Sequence, residues 1–328
     1  MPEDEITILQ GAKTQLSKIM ESLNKSHREH LLSFAIQEWM TMKIGVDSDD
    51  ESNDEDEHVL DDPAAKLRKI VEEIRDKIPL NAILPSENIQ LPTKGPNDDC
   101  DPKITVHVDG FLYEDDDIED LVKEGKMSRN YCKDCGSKNT SPLIFISHSA
   151  SRDELYLIFN TLLPTLDGKI LLDVGSRLGA VLYGAYVYSD AEKIIGVEMN
   201  KDLCDLQNEV IRKHKMDKRI EIINKRIEDT GDLVRVADVV VLNNVFEFYL
   251  SEEEQTSVWK FLRDNIKKGA FIVSRPSISS SLSSLNTGID VDQWIKPVDS
   301  EIDQPVNYFA EETERVDDSM KIFCYNVL

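Results

Sequence analysis

Short apolar segments alternate with stretches of helical periodicity from about residue 151 onward. Five nearly continuous apolar runs occur, at Lys169–Val174, Lys193–Glu198, Ile220–Ile223, Asp238–Leu242 and Ala270–Ser274. Amphipathic helical patterns separate them, among them Arg152–Leu163, Lys201–His214 and Glu252–Ile266. Strands that are apolar on both faces and alternate with helices belong to a parallel sheet covered on both sides. We therefore predict a doubly wound α/β domain over residues 150–328.

The last part of the chain predicts an exception to the parallel pattern. Two segments with strand character, Val306–Ala310 and Lys321–Leu328, flank an acidic loop. Two neighbouring strands joined by a short loop pair antiparallel, because a parallel pair needs a long crossover. We predict a mostly parallel, seven-stranded sheet with a C-terminal antiparallel hairpin at its edge.

Three segments precede this domain. Residues 1–46 have the spacing of amphipathic helices and predict a mainly helical region. Residues 47–62 hold ten carboxylates and almost no apolar side chain, which predicts a disordered acidic linker. Residues 63–149 predict a small α+β segment, with a helix that starts at Pro63 and a strand at Ile104–Val108.

The negative charge is unevenly distributed. The whole chain carries a formal charge of -25, but residues 150–275 hold 18 basic and 21 acidic side chains and are nearly neutral. The acidic flanks oppose binding to a phosphate backbone and would attract a basic protein, whose tail the linker at 47–62 could hold near the site. The same composition is also typical of a linker that is merely solvated. RNA stays open as a partner if the basic residues of the neutral part cluster.

The chain has no features of a membrane or secreted protein. No apolar run approaches the roughly 18 residues of a membrane-spanning helix, and the start Met1–Glu5 is too acidic for a signal peptide. Its five cysteines are too scattered for a disulfide framework. We expect a cytoplasmic or nuclear protein without a membrane partner, and the sequence does not indicate its oligomeric state.

Two strand ends predict a ligand site. The first predicted strand ends at Asp173 and is followed by a turn with Gly175 and Gly179, and the second ends at Glu198, 25 positions after Asp173. Glycine lets a ligand approach the backbone at the carboxyl ends of parallel strands, and a carboxylate at the second strand suits the two hydroxyls of a ribose.

The residues around these strand ends resemble a known family. The segments Leu171–Gly179, Gly196–Glu198 and Asn243-Asn244 are similar to those of class I S-adenosylmethionine-dependent methyltransferases. The G-x-G-x-x-G spacing of the rival NAD-binding pattern is absent. The resemblance implies S-adenosyl-L-methionine as cofactor and the following cofactor-binding residues: Asp173, Gly175, Ser176, Gly179, Glu198, Met199 and Asn243.

Two positions depart from the family pattern. Arg177 stands where the family often has a middle glycine, and Lys225-Arg226-Ile227 stands where an aspartate commonly reaches the adenine. Glu228 or Asp229 could supply that acid from a shifted turn. These departures leave open a catalytically inactive adaptor that retains the fold.

The end of the fourth predicted strand bears on the substrate. Asn243–Tyr249 lacks the Pro-Pro pair of many nucleic-acid amino-methyltransferases, and with Gly269–Pro276 it is similar to non-SET histone-lysine methyltransferases. This local resemblance implies a protein amine as acceptor, with Asn243, Phe246 and Glu247 as candidate catalytic residues. Phe246 at this spacing is equally typical of core packing, and RNA methylation remains the alternative.

A cysteine pair is a weak signal of a metal site. Cys132-x-x-Cys135 is half of a zinc knuckle, and further ligands would have to come from Cys100, His107 or His148. The alternative is a pair of buried thiols. His148, just before the α/β domain, is expected either to cover the cofactor pocket or to be a structural histidine.

Overall fold

The computed structural model describes residues 62–90, 103–132, 140–298 and 321–328. These residues belong to one compact unit, Val59–Leu328, whereas a second unit, Met1–His58, lies outside them. The predictions for residues 1–46, for the acidic linker up to residue 61, for Val306–Ala310, and for Cys100 and Cys135 therefore fall outside the described residues.

A seven-stranded sheet forms the centre of the fold. Its strands lie in the order β10-β11-β9-β8-β5-β6-β7. Their bounds are β5 Ile170–Val174, β6 Lys193–Glu198, β7 Ile220–Asn224, β8 Val239–Asn243, β9 Phe271–Arg275, β10 Ile295–Pro297 and β11 Phe323–Val327. The predicted α/β sheet is confirmed, and the five predicted apolar strands agree with β5–β9 to within one residue.

The sheet is parallel except for one strand. The strands β5 to β9 pair parallel with their neighbours. Strand β11 runs antiparallel to β9 on one side and to β10 on the other, which confirms the antiparallel hairpin. The edge partner of β11 is Ile295–Pro297, where Ile295 is buried, and the predicted strand Val306–Ala310 lies outside the described residues.

Helices cover both faces of the sheet. The helices before and between its strands are α3 Arg152–Leu157, α4 Ala180–Tyr188, α5 Lys201–Lys213, α6 Gly231–Val236, α7 Glu252–Asn265, α8 Ile278–Leu282 and α9 Val291–Trp294. The predicted helix at 152–163 is split, because α3 passes into a π-helical turn, Ile158–Leu162.

Local sequence signals start the main helices. Ser151 and Ser251 each accept a hydrogen bond from the backbone amide three residues on, and the Glu154 and Glu254 carboxylates accept one from the amide of that serine. Asn200 caps α5 directly after β6. Such caps satisfy amide groups that a helix start leaves without partners, so α5 begins at the carboxyl edge of the sheet.

The apolar side chains of each strand divide between two cores. Along β5, Leu171 lies in one buried cluster and its neighbour Leu172 lies in the other. Val239 and Val240 on β8 divide in the same way. Because successive side chains of a strand point to opposite faces, a strand buried on both sides must be apolar at every position.

The residues before the sheet add a helix and short strands. Helix α1, Pro63–Arg75, places Leu67 and Ile70 in the same buried cluster as Leu171. The remaining elements are β1 Thr105–His107, α2 Asp115–Lys123, β2 Asn130–Cys132, β3 Thr140–Pro142 and β4 Ile144–Ile146. Strand β1 pairs parallel with β4, and β2 pairs antiparallel with β3. No helix in the described ranges is long and apolar enough to cross a bilayer.

Candidate cofactor site

A cavity of about 470 Å³ opens at the carboxyl ends of β5, β6, β7 and β8. Residues that follow all four strands line it, among them Gly175, Glu198, Arg226 and Asn243. This is the edge at which open parallel sheets bind ligands, and the volume lies within the usual range for small-molecule sites. The strand ends that the sequence predicts as a ligand site thus line one cavity.

Gly175 cannot be replaced without distortion. Its φ of 70° lies in the left-handed region, and a Cβ at this position would collide with Cγ2 of Val245. The turn after β5 and the segment after β8 therefore approach each other closely at the floor of the cavity. Only glycine adopts this φ without strain and also leaves room for the Val245 side chain.

Glu198 lies at the end of β6 and lines the cavity. Its Oε2 accepts a hydrogen bond from the Arg177 amide at 3.0 Å, and its Oε1 accepts one from the Asn200 amide at 2.7 Å. A carboxylate offers about four acceptor sites, so each oxygen can accept one more bond. Burial raises the pKa of Glu198.

Three of the predicted cofactor residues, Asp173, Ser176 and Gly179, are buried and do not line the cavity. Ser176 donates to Gln207 Oε1 at 2.8 Å, and Gly179 lies against the ring of Tyr183. Asp173 is 3% exposed, and burial together with the neighbouring Glu198 charge raises its pKa to about 8. Met199, by contrast, lines the cavity and is half exposed.

Arg177 turns its side chain away from the glycine turn. Its backbone has a φ of 46°, the conformation that the family's glycine would adopt readily. The guanidinium is 7% exposed, with Nε 2.9 Å from Glu87 Oε2 and Nη1 2.9 Å from Asp109 Oδ2. Nη2 donates to the Ala82 carbonyl. Arg177 thus connects the turn to two segments that are distant in sequence, those of Glu87 and Asp109.

The segment 80–90, here called the strap, crosses the cavity. Asn200 Nδ2 donates to Ser86 Oγ at 3.1 Å near the end of β6, and the Gln90 amide donates to the Phe248 carbonyl at 2.7 Å beyond the end of β8. Ser86, Glu87 and Asn88 line the cavity. Sequence reasoning missed the strap because it has no periodicity; the unusual Arg177 was the one signal of a buried acidic partner.

The amides at the end of β8 hold the segment before the α/β domain. Asn243 Nδ2 donates to the His148 carbonyl, and Asn244 Nδ2 donates to the Ser147 carbonyl, both at 3.3 Å. Asn243 lines the cavity, so it is placed both to contact a ligand and to position His148.

The two other candidate catalytic residues differ in placement. Phe246 lines the cavity, but it is 5% exposed and packs edge-to-face on Trp259, with ring centroids 5.4 Å apart. Glu247 does not line this cavity: it lies at a second, much smaller one, where Ser281 Oγ donates to its carboxylate at 3.4 Å.

The turn after β7 provides mixed charges. Lys225, Arg226, Ile227 and Glu228 line the cavity, whereas Asp229 does not. Arg226 lies 3.3 Å from Glu228 and 3.4 Å from Glu254. Of the two acids that could replace the family's aspartate, Glu228 is therefore the one that lies at the site.

No metal centre forms among the residues that the structure describes. They contain no group of three or more metal-ligating side chains. Cys132 ends β2, and Cys135 lies outside the described residues. His107 Nδ1 and His148 Nε2, predicted as further zinc ligands, lie 3.0 Å apart and share a hydrogen bond.

Comparisons with known proteins find solved structures of low similarity. The sequence matches no family model, and no curated protein is detectably similar to it. An RNA methyltransferase from Salinibacter ruber, solved with S-adenosyl-L-homocysteine, is 16% identical with a TM-score of 0.33 and aligns over 53% of this chain and 86% of its own. A putative methyltransferase from Streptococcus mutans is 14% identical with a TM-score of 0.42, over 61% of this chain and 56% of its own.

A third solved structure is a precorrin-6y C5,15-methyltransferase from Geobacter metallireducens. It is 10% identical with a TM-score of 0.39, over 55% of this chain and 90% of its own. Identities and TM-scores this low show no family, and the fold is defined by its own strand order and the antiparallel β11.

Proposed function

We propose that this protein is an S-adenosylmethionine-dependent methyltransferase. The observation that carries the proposal is Glu198, a buried carboxylate at the end of the second strand that lines the cavity and keeps one free acceptor site on each oxygen. Two vicinal ribose hydroxyls require this arrangement of acceptors.

The rest of the cavity fits the same cofactor. Ile227 and Leu203 provide apolar surface beside Glu198, where an adenine would lie. The cofactor, when bound, supplies a methyl group activated by a sulfonium. The protein's own part is to align the acceptor and to keep water from it.

The proposed acceptor is a protein amine of the lysine type. Asn243, Phe246 and Tyr249 line the cavity beyond β8, and apolar or aromatic walls favour the uncharged, nucleophilic form of an amine. The acidic flanks of the chain support a basic protein as the partner. RNA is the second candidate, favoured by Lys201, Lys225 and Arg226 at the same cavity.

Cofactor binding is tested first. Calorimetric titration with S-adenosylhomocysteine should show one site per chain with a micromolar or tighter dissociation constant. No binding at millimolar concentration would leave the inactive adaptor as the better account of the fold.

Substrate class is tested by transfer of a tritiated methyl group from S-adenosylmethionine into a cell lysate. If protease removes the label and nuclease does not, the result supports a protein acceptor. Label that only nuclease removes overturns the protein proposal in favour of RNA. A Glu198→Ala variant is the control for contaminating activity, because it lacks the proposed ribose contact.

A further inference from the structure

Two buried polar atoms at the cavity have no hydrogen-bond partner in the described part of the chain. They are Nδ1 of His148 and the hydroxyl of Tyr249, and both residues line the cavity. Their rings meet edge to face, with centroids 5.7 Å apart. Of the ten buried side-chain atoms without a hydrogen-bond partner in the described residues, only these two belong to residues that line this cavity. Buried polar atoms are nearly always satisfied, so the two at the cavity indicate a ligand that supplies the missing bonds.

The two groups have complementary bonding capacity. Burial, and then the positive charge of Arg177, hold the pKa of His148 well below its usual value, so the imidazole is neutral. Burial raises the pKa of Tyr249, so its hydroxyl keeps its proton. A neutral imidazole bonded to His107 through Nε2 has one nitrogen left, and a hydroxyl both donates and accepts.

The structure holds His148 rigidly. Asn243 donates to its carbonyl, Phe248 contacts its ring at a centroid distance of 4.9 Å and an angle of 83°, and His107 fixes Nε2. His148 is 7% exposed. A group fixed on several sides can orient a ligand without losing much conformational entropy.

The position of the pair separates it from the ribose site. His148 is bound to the end of β8, whereas Glu198 ends β6, and β5 lies between these two strands. Two strand spacings amount to about 10 Å. His148 therefore lies on the β8 side of the cavity, where the proposed acceptor lies, and not at the strand that carries Glu198.

We propose that His148 and Tyr249 bind the methyl acceptor and orient its nitrogen. This inference rests on the proposed function. The acceptor is an uncharged amine that donates an N–H to one of the two groups, so that its lone pair faces the methyl group. The lone pair forms the new N–C bond as the S–C bond breaks, the bonding pair stays on sulfur, and the extra proton on nitrogen leaves to solvent.

The first test uses binding and not turnover. Protein labelled with ¹⁵N in histidine and saturated with S-adenosylhomocysteine is titrated with n-butylamine at pH 9.5, where about a tenth of a lysine-type amine is uncharged. The resonance of His148 Nδ1, assigned by its loss in His148→Gln, should shift. The matched probe n-butyltrimethylammonium has no N–H and should leave it in place.

Two results of this titration would overturn the proposal. One is no shift with n-butylamine, and the other is an equal shift with both probes. In Tyr249→Phe the response to n-butylamine should weaken, whereas Tyr156→Phe, whose ring is 56% exposed, should respond like the wild type.

The second test separates acceptor binding from cofactor binding. In His148→Phe, methyl transfer into lysate protein should fall by about 100-fold, the effect of a misplaced acceptor, while affinity for S-adenosylhomocysteine should stay within about threefold. His148→Gln keeps a hydrogen-bonding group and should recover part of the activity. Full activity in His148→Phe would contradict this inference alone. A wild-type protein that binds no S-adenosylhomocysteine would contradict the proposed function.

Discussion

Nη1 of Arg177 lies 2.9 Å from Oδ2 of Asp109, and both side chains are almost fully buried. Arg177 belongs to the turn after β5, and Asp109 follows β1, 68 residues earlier. Asp109 Oδ1 also accepts the Phe111 amide at 3.1 Å. The ion pair thus joins the glycine turn of the sheet to the segment before it, and Glu87 of the strap extends the same network.

Replacing Arg177 by glycine, the residue of the family pattern, should destabilise the protein. The change relieves the strained φ, but it leaves the Glu87 and Asp109 carboxylates buried without their cation. Breaking a buried ion pair costs about 3–5 kcal/mol in the free energy of unfolding. Urea denaturation measures the difference. Arg263→Ala, which removes an exposed ion pair, is the control and should change stability by less than about 1 kcal/mol. Equal stability of Arg177→Gly and the wild type would contradict a structural role for the network.

Glu198→Gln should weaken cofactor binding without unfolding the protein. The amide keeps the size of the side chain but loses one acceptor oxygen and the charge, so the hydrogen bonds to the ribose weaken. We expect a 10- to 100-fold lower affinity for S-adenosylhomocysteine, or about 1.5–3 kcal/mol. Calorimetry measures it, and Glu221→Gln on β7, whose side chain is 54% exposed, should bind like the wild type. Unchanged affinity in Glu198→Gln would exclude the ribose contact.

Asn243→Ala should lower the rate of methyl transfer more than it lowers stability. The variant loses the hydrogen bond that holds the His148 carbonyl, and misplacement of an orienting group is costly for an in-line reaction. The rate of tritium transfer should fall at least tenfold, whereas the melting temperature should change little. Asn160→Ala should leave the rate unchanged, because it removes only an exposed hydrogen bond from the π-helical turn after α3 to the Tyr156 carbonyl. Wild-type turnover in Asn243→Ala would remove Asn243 from the site.

Glu73 on α1 should make stability depend on pH in acid. Although the carboxylate is buried, hydrogen bonds from Lys77, Lys213 and His214 lower its pKa to about 2 from 4.5. Because the folded pKa lies below the unfolded one, the stabilisation is complete above about pH 4.5 and is lost as the pH falls towards 2.

A Glu73→Gln variant checks this pH dependence. At pH 7 it should be less stable than the wild type by about 2–3 kcal/mol. Urea denaturation at a series of pH values should show the difference shrinking below pH 4.5 and vanishing near pH 2. A difference that does not change with pH would mean that Glu73 stabilises α1 through packing and not through its charge.

Local sequence patterns were sufficient for the sheet and for part of the site. The runs that became β5–β9 are apolar at every position because both of their faces are buried, and this property is visible without a structure. Gly175 and Glu198 were predictable as well, since they follow directly from where two of those strands end.

The other parts of the site depend on contacts between distant residues. Nothing near Glu87 or Asp109 indicates that each meets Arg177, 90 and 68 positions away. Asp173 and Glu247 have the right residue type and lie at strand ends, but Asp173 is buried and does not line the cavity, and Glu247 lies at a different cavity.

The sequence by itself determined the class of fold and the strand ends at which a ligand would bind, because burial and periodicity are local properties of a chain. Only the tertiary structure decided what closes the cavity: the strap, the Arg177 network and the His148–Tyr249 pair. These depend on side chains brought together by packing against the finished sheet. Their partners are selected by distance in space, which residue spacing along the chain does not encode.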